Sequence, residues 1–292
     1  MKKIILYGFA LLLFFALPTL DANAAASTAK GDAALAQLKQ RHGQFVNIVP
    51  SHVADTESEK IIIKYRVKNG QIYAPHAGNT ATYKKIAQDG NLHKRLWEKF
   101  IVTVPASKRQ QVTNFTVFTD GHNNDQAFVQ PNDSTWKTWT LAVDYKDALD
   151  QPNNFFATLV HESAHLVSLN KKQTNNAGAN CKNFTSNGVC MNKDSHLNRF
   201  YQLFWQGPIH NDWVKTGKQA NQLYLKYPSS FVDQYAAASP EEDFAESFMY
   251  FVFSERPTTA KTRAEQKIAF FYKYDSMIHF RNAILTRLNS YY

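Results

Sequence analysis

The sequence predicts an α+β protein, on three observations. Strand-like alternation fills the first half, a helix carrying HESAH lies near the middle, and the rest of the chain reads mostly as helix. The expected arrangement is a sheet and a helical half with a cleft between them.

Taken in order, Met1-Lys2-Lys3 is a short positive start and Ile4 to Leu20 is almost wholly apolar. Ala22-Asn23-Ala24 then places small residues where a signal peptidase reads. This is the pattern of a secretory signal, residues 1–24, with a cut after Ala24. A membrane anchor is the alternative, but the apolar run is short for a span and an A-x-A site follows it. Residues 25–44 are small and polar with a weak helical pattern. KIIIKYRVKNGQIYAP reads as two strands joined at Asn69-Gly70, the strongest short hairpin signal. Residues 80–101 read as one helix with Ile86, Leu92, Leu96, Trp97 and Phe100 as its apolar positions.

FTVFTD, residues 115–120, and WKTWTLAVDY, residues 136–145, alternate like strands. The polar stretch between them offers Asp120 and Asp125 to a cation, but without EF-hand spacing, so it reads as a plain loop. Pro152, Asn153 and Asn154 suit a helix start, and the helix runs to about residue 169. Residues 170–195 form a long polar loop with Cys181 and Cys190, expected to pair as a disulfide in an exported chain. Helices follow near 196–205 and 214–226, from Ser239-Pro240 onward, and from 259 to the end.

The net charge of +9 at pH 7 favours an anionic partner, such as a surface or cell-wall polymer. No nucleic-acid-binding signature is present, so nucleic acid is not an expected partner. Once the signal is removed, no remaining segment is long and apolar enough to span a bilayer.

The chemistry concentrates in FATLVHESAHLVSLN, residues 156–170. His161 and His165 are four apart, so on a helix they project from one face, one turn apart. Two imidazoles in that relation can take two corners of a zinc tetrahedron. Glu162 is placed to take a proton from a water that the metal has acidified. Solvated histidines on a surface helix are the bland alternative, and the flanking Leu159, Val160, Leu166 and Val167 argue against it. A catalytic zinc wants a third protein ligand. LVSLNKKQTN after the second histidine excludes the metzincin pattern of a nearby Gly and His. A later helix offers Glu242 and Glu246, four apart in SPEEDFAESF. Glu242 is read as the third ligand and Glu246 as the carboxylate that orients a ligating histidine. Ser239-x-x-Glu242 is equally a capping box, which would turn Glu242 back to its own helix start.

HESAH, then Tyr235, then EDFAESF resembles the zinc peptidase domain of anthrax toxin lethal factor and the secreted Pro-Pro endopeptidases. The resemblance implies zinc held by His161, His165 and Glu242, with Glu162 as general base. It implies that Tyr235, seven residues before Glu242, stabilises the oxyanion, and that Glu246 supports a ligand. It also implies a zincin fold, a twisted mixed sheet with an active-site helix beneath it and a helical C-terminal lobe. The likeness rests on short motifs from about Phe115 to the C-terminus, in a domain drawn at 111–292. Residues 25–110 match nothing in it, and the cysteine-bearing stretch is longer than in those relatives. Tyr235 could instead be a core residue of DQYAAASP.

The expectation is a secreted, zinc-dependent endopeptidase acting on a protein or peptide, with substrate paired to the strand at 138–144. A secreted zinc-binding or adhesion protein without turnover is the competing class. A zinc amidase of cell-wall peptides is a third.

Overall fold

The computed structural model describes residues 22–48, 57–78, 81–122, 124–175 and 177–292. The apolar run of the expected signal lies outside the described residues. So do the side chains around its expected cut, although the backbone of α1, Ala22–His42, begins there.

The hairpin forms as its turn chemistry demands. Strands β1, Lys60–Lys68, and β2, Gln71–Ala77, are antiparallel, and Lys68 faces Gln71 across the turn. Asn69 and Gly70 both adopt positive φ, 53° and 75°, as a two-residue hairpin turn of this kind requires. The region expected to be one helix over 80–101 is broken. A short α2, Lys84–Gln88, ends at Asp89, and α3, Gly90–Thr103, starts anew. The Asp89 carboxylate accepts the Leu92 N–H at 2.9 Å, so an N-cap interrupts the apolar periodicity.

Strands β3, Val112–Thr119, β4, Ala127–Pro131, and β5, Trp139–Asp144, complete one mixed sheet in the order β2-β1-β3-β5-β4. β3 and β5 are parallel, and the other pairs are antiparallel. β4 lies within the stretch expected to be only loop. It also corrects the placing of a substrate along 138–144. β5 is hydrogen-bonded on both sides, to β3 and to β4, and has no edge to offer, so the outer strand beside it is β4. The sheet runs without a break across residue 110, because β1 pairs with β3.

After α4, Tyr145–Asp150, comes α5, Pro152–Ser168, which carries HESAH. Pro152 suits the first turn of a helix. Phe155, Phe156, Leu159, Val160 and Leu166 are buried against the sheet and neighbouring helices. Beyond it, β6, Thr174–Asn175, β7, Thr185–Ser186, and β8, Val189–Met191, form a small antiparallel sheet. Cys181 and Cys190 are joined as a disulfide across it.

The rest is helical: α6, His196–Phe204; α7, Pro208–Lys215; α8, Ala220–Lys226; α9, Pro240–Phe253; α10, Arg263–Phe271; and α11, Asp275–Tyr291. The helix expected over 214–226 is interrupted at Gly217 and Lys218, both with positive φ. The one expected from 259 divides at Tyr272–Tyr274 into α10 and α11. A ring-on-ring core of Phe200, Phe244, Phe248, Phe271 and Phe280 holds α6, α9, α10 and α11 together, and α9 also packs on α5. The N-terminal α1 packs along α11, where the Arg281 guanidinium meets Asp32 at 2.7 Å.

Candidate metal centre

α5 and α9 cross so that HESAH faces EDFAESF. His161, Glu162 and His165 are all buried, and their ligand atoms lie within 4.8 Å of one another, so this group could hold a metal ion. Glu242 comes closer still. Its Oε2 lies 3.1 Å from His161 Nε2 and 3.4 Å from His165 Nε2, while the two Nε2 atoms are 3.0 Å apart. Ligands about 2.0–2.1 Å from a tetrahedral ion are separated by about 3.3 Å, so this triangle matches one face of such a tetrahedron. Three lone-pair-bearing atoms have converged where protons alone satisfy them poorly, and two nitrogens with one oxygen suit zinc.

Of the two imidazoles, His161 has a carboxylate behind it, while His165 Nδ1 has no hydrogen-bond partner among the described residues. His161 Nδ1 lies 2.6 Å from Glu246 Oε1, one turn along α9 from Glu242. That contact is one of distance, since the ring N–H is not aligned on the oxygen. Glu246 is in turn hydrogen-bonded to the carboxyl of Asp233. Glu242 does not close a capping box. Ser239 Oγ accepts the Glu242 N–H at 3.1 Å, but the Glu242 side chain extends to the imidazoles instead. The contrast is α10, where Thr262 and Glu265 make both halves of that box.

Glu162 stands apart from the triangle. Its Oε2 accepts the Val129 N–H of β4 at 2.8 Å, and its Oε1 lies 3.8 Å from His161 Nε2. One oxygen is therefore tied to the sheet while the other remains beside the convergence point. An N–H of β4 that donates to Glu162 is turned away from β5, so the outer edge of β4 runs along the site.

The protonation states are strongly coupled. Burial alone lowers His161, but Glu246, Glu242 and Glu162 more than reverse this and hold it well above its ordinary value. His165 is likewise raised, with burial overcome chiefly by Glu242. Burial raises Glu242, and the two imidazoles outweigh it and hold the carboxylate far below its usual range. Burial and then the Glu242 charge raise Glu162. Asp233 is pushed up to about 8, by burial first and the Glu246 charge second. Asp233 then carries the proton between the two carboxyls. The sequence reading missed this residue, and no spacing in DQYAAASP marks it.

Tyr235 is not a core residue. It is 56% exposed on a turn before α9, and its ring centre lies 5.9 Å from that of His161. Partial desolvation at the cleft wall, followed by the charges of Glu242, Glu162 and Asp125, raises its pKa, so it stays a donor.

Two clefts meet at the site. One, of about 900 Å³, is lined by Val129, Pro131, His165, Trp213 and Glu242, with the disulfide-closed loop Lys182–Asn187 as a wall. The other, of about 570 Å³, is lined by Ala127, His161, Glu162, Tyr235 and Glu246. β4 contributes to both. Asp120 and Asp125 are placed in their loop, where Asp120 accepts the Asp125 N–H at 3.3 Å, and they are not part of the metal group. No helix among the described residues is long and apolar enough to cross a membrane. Comparison with protein-family models, with curated proteins and with solved structures returns no match.

Proposed function

We propose that the chain is an exported zinc-dependent endopeptidase with a zincin-like catalytic centre. The observation that carries this reading is the triangle of His161 Nε2, His165 Nε2 and Glu242 Oε2, with the untethered oxygen of Glu162 beside it. The first three would hold the ion, which supplies a Lewis acid that polarises the scissile carbonyl and acidifies the attacking water.

The chain's own groups do the rest. Glu162 takes the proton of the water at Oε1 and delivers it to the leaving amine, while the Val129 N–H holds its other oxygen in place. Its raised pKa suits a base that must also serve as an acid. Tyr235 donates a hydrogen bond to the developing oxyanion from the open side of the cleft. Glu246, backed by Asp233, keeps the His161 ring in orientation.

On the outer edge of β4 the Val129 N–H is taken by Glu162 and Pro131 has none, so an extended peptide would pair mainly with the outward carbonyls, and would then pass through both clefts. A chain that can enter and leave on both sides of the site favours cleavage within a polypeptide over removal of a terminal residue. The disulfide and the signal-like start support export.

The test has two readouts. Purified protein should retain close to one zinc per chain after dialysis and cleave members of a peptide library detected by mass spectrometry. Glu162→Ala should keep the zinc and lose at least about a thousandfold in kcat/KM, in line with a missing proton shuttle and misplaced water. Zinc-free protein after reconstitution, or an active Glu162→Ala variant, sinks the proposal.

A further inference from the structure

Behind the C-terminal end of α5, a second groove of about 570 Å³ is lined by Lys108, Lys137, Lys171, Lys172 and His196, with no Asp or Glu among its lining residues. The lysines come from three separate segments: the turn after α3, the β4–β5 connection and the turn after α5. Lys108, Lys137 and Lys172 make no ion pair among the described residues, and Lys137 and Lys172 are exposed. Asp133, which the N–H and hydroxyl of Thr135 engage first, is also held low by the charge of Lys137, without an ion pair between them. His196 is lowered by burial and then by the positive charges of Lys108 and Arg199.

Capping does not account for this concentration of charge. Basic residues after a helix commonly satisfy its last carbonyls. Here the Leu166 carbonyl accepts from Gln111 at 2.6 Å and from Asn170 at 3.0 Å, and Val167 accepts from Asn170 at 2.8 Å. Lys108 and Lys137 belong to other elements altogether. Like charges gathered from three segments repel one another, although the Lys108 ammonium also lies over the Phe280 ring, 5.5 Å from its centre.

We propose that this groove binds a linear phosphate-bearing polymer. A concave trough suits a flexible chain better than a bilayer surface. Ammonium groups act as point charges and accept tetrahedral phosphate from any direction, whereas planar carboxylates are best matched by the arginine fork, absent from this lining. Of the two rings in the wall, Trp136 is 4% exposed and His196 is half-buried against Tyr274, so neither is an open platform for a nucleic-acid base. Trp136 also lines the larger cleft, so the groove backs onto that cleft. The groove needs neither the metal nor turnover.

The experiment measures binding of fluorescein-labelled long-chain polyphosphate by anisotropy across a salt series. Two variants lose the same charge: K108Q/K137Q/K172Q in the groove, and K84Q/K85Q/K94Q on exposed positions elsewhere. The groove variant should lose about tenfold or more in affinity at about 50 mM salt, and its salt slope should flatten by about two. The control should stay within about twofold. Because Lys108 is half-buried, K137Q/K172Q is measured as well, and it should show a smaller loss of the same kind. Equal losses in groove and control variants would overturn the proposal, as would failure of the wild type to bind. Equal or tighter binding of polyglutamate of matched charge would overturn the assignment to phosphate.

Discussion

Glu246→Gln isolates the role of a side chain that would touch no metal. Its Oε1 lies 2.6 Å from His161 Nδ1, and both residues are buried. Two full charges at that distance in an effective dielectric of about 20 would interact by about 6 kcal/mol, a ceiling, since a ligating imidazole is neutral. Loss of a carboxylate behind a metal-binding histidine costs about 10–100-fold in affinity, or about 1.4–2.7 kcal/mol. The short, buried contact places this site in the upper part of that range. Glutamine keeps the shape and an acceptor oxygen, so the fold should persist. The assay is competition for zinc against a chromophoric chelator, from about pH 6 to about pH 9. The sign of the pH effect is fixed by the carboxylates that raise His161. In the wild type a proton occupies that imidazole and competes with zinc, more so as pH falls. The variant relieves part of this competition, so its deficit should grow as pH rises. A zinc Kd within about threefold of wild type at the alkaline end would refute the reasoning.

Three further outcomes are expected. Tyr235→Phe should lower kcat by roughly tenfold to a thousandfold with little change in KM or zinc content, and an unaltered kcat removes Tyr235 from the mechanism. Lys267→Met should leave Asp243 charged and buried without its 2.5 Å partner, costing about 3–5 kcal/mol by denaturant unfolding, and a loss under about 1 kcal/mol would show that the pair is dispensable. Asp144 is raised to about 7, by burial against opposing backbone hydrogen bonds from Asp120 and Lys146. Its contribution to stability is therefore full below the ordinary carboxylate value near 3.8 and is lost as pH rises through about 7. Asp144→Asn should flatten the decline of stability over that window by about 2–4 kcal/mol, and an unchanged slope would assign the decline to other groups.

Much of the candidate site could be read in the sequence because it follows helical periodicity. Residues four apart share a face, and both HESAH and EDFAESF present their polar side chains in that way. Glu242 was ambiguous between ligand and cap because both uses demand the same position relative to Ser239. Only the packing of α9 on α5 decides between them. The strand β4 escaped detection for a related reason. AFVQP is short, ends in proline and lacks clean alternation. The Val129 N–H that holds Glu162 is backbone, and every residue but proline has one, so composition says nothing of it. Asp89 caps α3, and the apolar spacing that continues across it is why residues 80–101 read as one helix.

One helix carries consecutive residues with opposite duties. Glu242 reaches the imidazoles, and Asp243, about 100° further round α9, meets Lys267 at 2.5 Å and Trp205 Nε1 at 2.6 Å. A side-chain tip about 6 Å from the helix axis sweeps about 1 Å for each 10° of twist. A metal ligand would tolerate about 0.2 Å, so with its side-chain torsions held Glu242 would leave its place after about two degrees of rotation of α9. The Lys267–Asp243 pair, buried inside the helical half, would then work as a key in a shaft: it would set the angular tolerance of a part that acts on the other side.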